Sequence, residues 1–455
     1  MFSLAMRSIR LRPGRFVATL LSAFLGATII MTFNSMHDTA GGAGVDTVSS
    51  DTLTTSASVV GGYGTLLVFF AVASTLTVNV RQRHEEITLL RNTGATPAQI
   101  RRMVVGEASV VGLVASVLAV GPAMLAGRAL LSVFRDSGQV AERVDYAFGP
   151  VALMSGLSIM LLACAGAAFL AVRRATRAVA TGEREPRTRL RGFFAYGALV
   201  AGAGAVSATF AMDATEPALM AAPAYGAILL SVGFALLSPR LLSGVLGVLE
   251  RPLGALAGAS GYLTVHNMRQ RAAQLAGVLM PLVLFTGMAT ATLYMQAIEN
   301  DAIKASGVAK SVDDKNLETL NLVVVGIIVV FACVMLINSL YAATSYRSRE
   351  FGQQRLAGAT PAQVLGMVGV EGLVLTLTGV FFGTLSGLAG IVAFSSVRVD
   401  EALPLGSGSG PGQGQGLGIW LGVVSIAAAA TLVTSLGTAR RGLRTPAVEA
   451  VALAA

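Results

Sequence analysis

Ten stretches of this chain are long and apolar enough to cross a hydrocarbon layer of about 30 Å as single helices, starting near Phe16, Ala57, Met103, Pro150, Gly192, Ala218, Ala272, Thr319, Val364 and Leu417. Inside a bilayer, backbone groups must be satisfied within the segment or by a closed barrel. The runs lack the polar and apolar alternation of barrel strands. The expected class is therefore all-α, a polytopic membrane protein with about ten transmembrane helices. Hydrophobic residues at 54% and charged residues at 13% exclude an ordinary soluble domain.

The net charge of +9 invites a nucleic-acid reading, which the placement of the charges removes. With the N-terminus in the cytoplasm, the six inner segments hold 26 of the 33 Lys and Arg against 7 acids, and the five outer ones hold 7 against 15. That asymmetry is an orientation signal. It predicts cytoplasmic N- and C-termini and no nucleic-acid partner. Residues 1–15 suit a basic helix on the inner surface, and the apolar run that follows, through Phe33, reads as an uncleaved first span. The first outer loop, residues 37–56, is polar and too short to fold by itself.

One polar device occurs twice. Residues 85–107, EEITLLRNTGATPAQIRRMVVGE, recur as residues 349–371, REFGQQRLAGATPAQVLGMVGVE. Glu86 and Glu350, Arg91 and Arg355, the hexapeptide GATPAQ at Gly94 and Gly358, and Glu107 and Glu371 all differ by 264. Each copy predicts a helix stopped by glycine, a tight turn, and a second helix with Thr96 or Thr360 as N-cap and Pro97 or Pro361 in its first position. Gln99 and Gln363 follow within that first turn. The third span carries Ala115, Ala119 and Ala123, and its counterpart carries Gly379, Gly383 and Gly387, again 264 apart. A four-residue spacing of small residues on one face predicts close helix packing in lipid.

HNMRQR at His266 resembles RSIRLR at Arg7, before the first span of each copy. The expected organisation is a first four-span repeat over 1–191, two linking spans over 192–239, and a second four-span repeat over 240–455. Both repeats enter from the same side, so they are parallel copies with a pseudo-twofold axis along the membrane normal. Residues 239–259 form an expected second amphipathic segment, and 406–418, GSGSGPGQGQGLG, a flexible outer linker.

Chemistry is sparse. There is no G-x-x-x-x-G-K-[ST] phosphate loop, His37, His84 and His266 lie far apart, and Cys164 and Cys333 sit singly in apolar runs. No catalytic or metal-ligating residues are expected. The centres of the spans carry no charge, which disfavours an ion-driven carrier. Glu107 and Glu371, one to two turns into their spans, suit either a local salt bridge to an Arg of the polar device or a direct role in coupling.

The segment at 85–107, followed by a small-residue span, resembles the FtsX-like permease domain of ABC transporters, the group that includes MacB and bacitracin-type permeases. The second copy keeps Glu350, Arg355, GATPAQ and Glu371, with Gly352 and Gln354 in place of apolar residues. The resemblance implies that the loop between the second and third spans of each copy is the element that meets a separate cytoplasmic ABC ATPase, two copies of it by similarity to the bacitracin type. ATP and Mg would then be bound in the partner and no cofactor in this chain. It further implies a multi-pass protein of the bacterial plasma membrane. The outer loops are too small to trap a bulky ligand, which predicts export or extraction of a hydrophobic or amphipathic molecule such as a lipid or peptide from the membrane between the two repeats. The alternative is a subunit that transports nothing and passes force to an external partner. Lateral entry predicts substrate crosslinks from the faces bearing Gly383 and Ala119.

Overall fold

The computed structural model describes residues 17–82, 84–136, 138–181, 187–214, 219–306, 326, 347–399 and 416–452. Among them all regular structure is helical. In chain order the helices are α1 (Val17–Ala40), α2 (Thr47–Gln82), α3 (His84–Asn92), α4 (Pro97–Asp136), α5 (Pro150–Thr181), α6 (Arg187–Thr209), α7 (Ala221–Gln270), α8 (Ala272–Ser306), α9 (Ser348–Leu356), α10 (Pro361–Arg398), α11 (Gly416–Leu443) and α12 (Ala447–Ala452). Eight described helices are long and apolar enough to cross a membrane, so the chain is an all-α multi-pass membrane protein. The expected second span falls within α2, whereas the eighth, from Thr319, lies outside the described residues, as do residues 1–15, Cys333 and most of the 406–418 linker.

The described helices divide into two compact units, α1–α5 and α6–α12. In the first, α1 packs on α2, α4 and α5, and α5 also meets α2 and α4. The face of α4 that bears Ala115, Ala119 and Ala123 is fully buried, and Thr32 of α1 hydrogen-bonds the Ala123 carbonyl at 3.4 Å. A Cβ on Gly112 would lie 2.9 Å from Cys164 Sγ, so this cysteine is a close-packing residue between α4 and α5. The expected polar loop at 37–56 is mostly helix: only residues 41–46 separate α1 from α2. Asp46 starts the second of these helices, and Asp38, near the end of the first, caps a third. The Asp46 carboxylate accepts from Ser49 N at 3.1 Å in the first turn of α2, and Asp38 accepts from Val151 N and Ala152 N at the start of α5, the end of a helix where a negative charge is stabilising.

In the second unit α8 packs against α7, α10 and α11. The glycine face of α10 closes on α8: a Cβ at Gly379 would meet Leu282, at Gly383 it would stand 2.6 Å from Thr286 Cβ, and at Gly387 3.1 Å from the Gly287 carbonyl. The glycine ladder thus seals α10 onto α8, and in the first unit α4 likewise packs on α1 with its alanine face buried. These faces are buried, so crosslinking of a substrate from Gly383 or Ala119 requires the seam to open. Helices α6 and α7 form a hairpin in which Gly202 and Gly226 allow backbone approach, and α7 joins α10 through Ser231 and Ser386, 2.6 Å apart. The expected separate amphipathic segment at 239–259 is no separate element. It continues the sixth span without a break, making α7 a helix of 50 residues, since neighbouring helices tolerate a proline within a membrane helix.

Candidate functional site

The repeated hexapeptide folds the same way twice. At the end of α9, Gly358 has φ +100°; its N–H bonds the Arg355 carbonyl and the N–H of Ala359 bonds the Gln354 carbonyl, the paired closure by which a left-handed glycine ends a helix. At the end of α3, Gly94 has φ +93°, with Gly94 N to Arg91 O and Ala95 N to Leu90 O. A Cβ at either glycine would meet nothing within 4 Å. Glycine is therefore required by the sign of φ and not by space.

The restart is equally matched. Gln363 N donates to Thr360 Oγ1 at 3.3 Å and Thr360 N donates to Gln363 Oε1 at 2.8 Å, while Gln99 N donates to Thr96 Oγ1 at 3.3 Å and Thr96 N to Gln99 Oε1 at 2.9 Å. Each is a reciprocal capping box, with Pro97 or Pro361 pre-set at the first helical position. The glutamines singled out in the sequence are half of that box. Gly94, Thr96, Pro97, Gln99 and their counterparts Gly358, Thr360, Pro361 and Gln363 are all exposed, as are Leu89 and Leu356 beside them. Each repeat thus presents a short, rigid, exposed corner on a long apolar helix.

The charged residues lie behind the corner. Glu371, in α10, is 5% exposed and Glu107, in α4, is 2% exposed. Glu371 is bound by Arg347, whose Nη2 lies 3.0 Å from Oε1 and whose Nη1 bonds Oε2. Of the two roles open to Glu371, the local salt bridge is therefore present. Arg347 also holds Glu350, with Nε 3.1 Å from Oε2 and Nη2 3.2 Å from Oε1, and stacks over Phe351. Glu350 accepts further from Asn267 at 3.0 Å and is paired with Arg271. Burial alone would push the Glu350 carboxyl up; its Arg347, Asn267 and Arg271 partners outweigh that and hold it below the usual carboxylate range.

Arg91 and Arg355 part company. Arg91 is exposed, whereas Arg355 donates to the carbonyls of Leu443 and Thr445, satisfying the C-terminal end of α11 where a cation is favoured. Helix α12 packs on α9 beside it. The Glu86 side chain lies outside the described residues, while its backbone is in α3.

Arg347, Arg271 and Asn267 were not singled out by sequence reasoning. The signal was present. Arg347 stands 264 residues after Arg83, the same interval as the rest of the device, and HNMRQR, which contains Asn267 and Arg271, resembles RSIRLR. Among the described residues no three His, Cys, Asp or Glu gather to hold a metal.

A family model described as the FtsX-like permease C-terminal domain matches the chain twice, over residues 58–180 and 322–447. Together these cover more than half of the chain, and they start 264 residues apart (322 − 58 = 264), the interval of the polar device. Helices α1, α6 and α8 lie outside both matches, as does α7. No curated protein matches the chain.

Proposed function

Because this chain belongs to the FtsX-like permease family, and is thereby a membrane permease component of an ABC-type transporter, we propose that it couples ATP hydrolysis by a separate ATPase to movement of a hydrophobic or amphipathic substrate such as a lipid or peptide. Two ATPase copies, carrying the ATP and Mg, meet the two GATPAQ corners on the cytoplasmic side of a bacterial plasma membrane, where both termini also lie. The observation that supports this most is the duplicated exposed corner. A stroke is transmitted only through a contact that does not bend, and a left-handed glycine closure followed by a Pro-initiated capping box fixes the angle between two helices without any flexible residue. Short connections at the opposite end, such as residues 41–46, leave the membrane itself as the source of substrate.

The test is reconstitution of the chain with a Walker A ABC ATPase subunit of the same organism. The expected result is hydrolysis that rises when the permease is present, accompanied by transfer of a labelled lipid or amphipathic peptide. Stimulated hydrolysis without transfer would instead support the subunit that only transmits force, and hydrolysis by the purified chain alone would contradict the assignment.

A further inference from the structure

A rigid corner transmits force only if its base is fixed to the membrane helices, and the second repeat contains such a base. Arg347, 7% exposed, occupies the position before α9. Its guanidinium binds Glu350 of α9 and Glu371 of α10 together. Glu350 in turn binds Asn267, in the last turn of α7, and Arg271, the single residue between α7 and α8. Two cations and two anions thus join α9 to α7, α8 and α10, the last two sealed to each other by the glycine face.

A buried ion pair of this kind is poor evidence for stability, because desolvation offsets most of the attraction and apolar replacements are often as stable. Its geometry is another matter. Only a planar fork with several donors grips two carboxylates at fixed angles; an ammonium group cannot. The same residues recur in the first repeat: Arg83, Glu86 and Glu107 each precede Arg347, Glu350 and Glu371 by 264, and Arg12 precedes Arg271 by 259. Glu107 is buried like Glu371.

We infer that Arg347, with Glu350 and Glu371, is a positioning cluster that makes the coupling corner of the second repeat move as one body with the helices it is tied to. This deepens the coupling role proposed above and rests on it. None of these residues needs to touch the ATPase.

The experiment uses the full chain in nanodiscs with two readouts. The first, amide hydrogen exchange of α9, needs no ATPase: Arg347→Lys should raise exchange across 348–356 by about tenfold or more while the middle of α10 stays protected. The second is ATPase stimulation: Arg347→Lys should lower maximal stimulated turnover by about tenfold and leave the half-saturating ATPase concentration unchanged. The pair Arg347→Met with Glu371→Leu should match the wild-type melting temperature yet remain uncoupled, which a purely structural role would not produce. Unchanged exchange in Arg347→Lys, or full coupling in the apolar pair, would overturn the inference. A wild-type chain that bound no ATPase while Arg347→Lys still loosened α9 would remove the coupling reading and leave the ionic base standing.

Discussion

Gly94 and Gly358 show how much a single residue can be asked to do in open space. Because a Cβ there would meet nothing, substitution acts only through the positive φ. Gly358→Val should therefore cost about 1 to 2 kcal/mol without a clash, and Thr360→Ala about 1 kcal/mol through loss of half the capping box. The expected outcome for both is normal insertion with weakened ATPase stimulation, measured on purified variants; stimulation at the wild-type level in Gly358→Val would show that the corner's angle is immaterial. These residues were legible because turn chemistry is local: the glycine, the Thr-Pro restart and the glutamine three positions on state their geometry in sequence. Arg347 was not, since its partners come from α10 and from the α7–α8 junction, and nothing in the adjacent residues names them. Arg355 shows the reverse risk. Its place in the repeat suggested a docking charge like Arg91, but the structure turns it toward the Leu443 and Thr445 carbonyls, so charge reversal there would first break a tie within the chain.

Among the helices, the same pairing recurs in both units: the third-span helix packs on the first-span helix, α4 on α1 and α10 on α8, in the second case through the glycine face. The register of small residues foretold a seam; which helix it faces depends on tertiary packing and could not be read from spacing alone. With the seam internal, the exposed side of α10 carries Leu373, Leu377 and Phe381, each at least half exposed. Two variants separate the faces. Gly383→Val forces a side chain toward Thr286 and the Val283 carbonyl and should destabilise the unit by about 1 to 3 kcal/mol as an overpacked core site, seen as a lower melting temperature in detergent. Phe381→Val should leave it unchanged. A photoreactive group should capture lipid from position 381 and not from 383; capture from 383 would mean that the α8–α10 seam opens.

At the scale of the whole molecule, composition and run length were enough for the class, and the interval of 264 was enough for the duplication, because both are properties of the chain summed over many residues. What they could not supply was the fate of the added segment: α7 runs through both the sixth span and the basic flank as one helix of 50 residues, and α6 and α7 pack within the second unit. The central claim is that two equivalent corners engage an ATPase. It is tested most directly by cysteine crosslinking from the exposed positions beside each capping box, Ala98→Cys and Ala362→Cys, in membranes that contain an ABC ATPase subunit of the same organism. The account predicts an ATPase adduct from both positions and no labelling of either by an impermeant thiol reagent applied to intact cells. Labelling from outside, or an adduct from neither position while a cysteine in the 41–46 turn reacts with the ATPase, would contradict it.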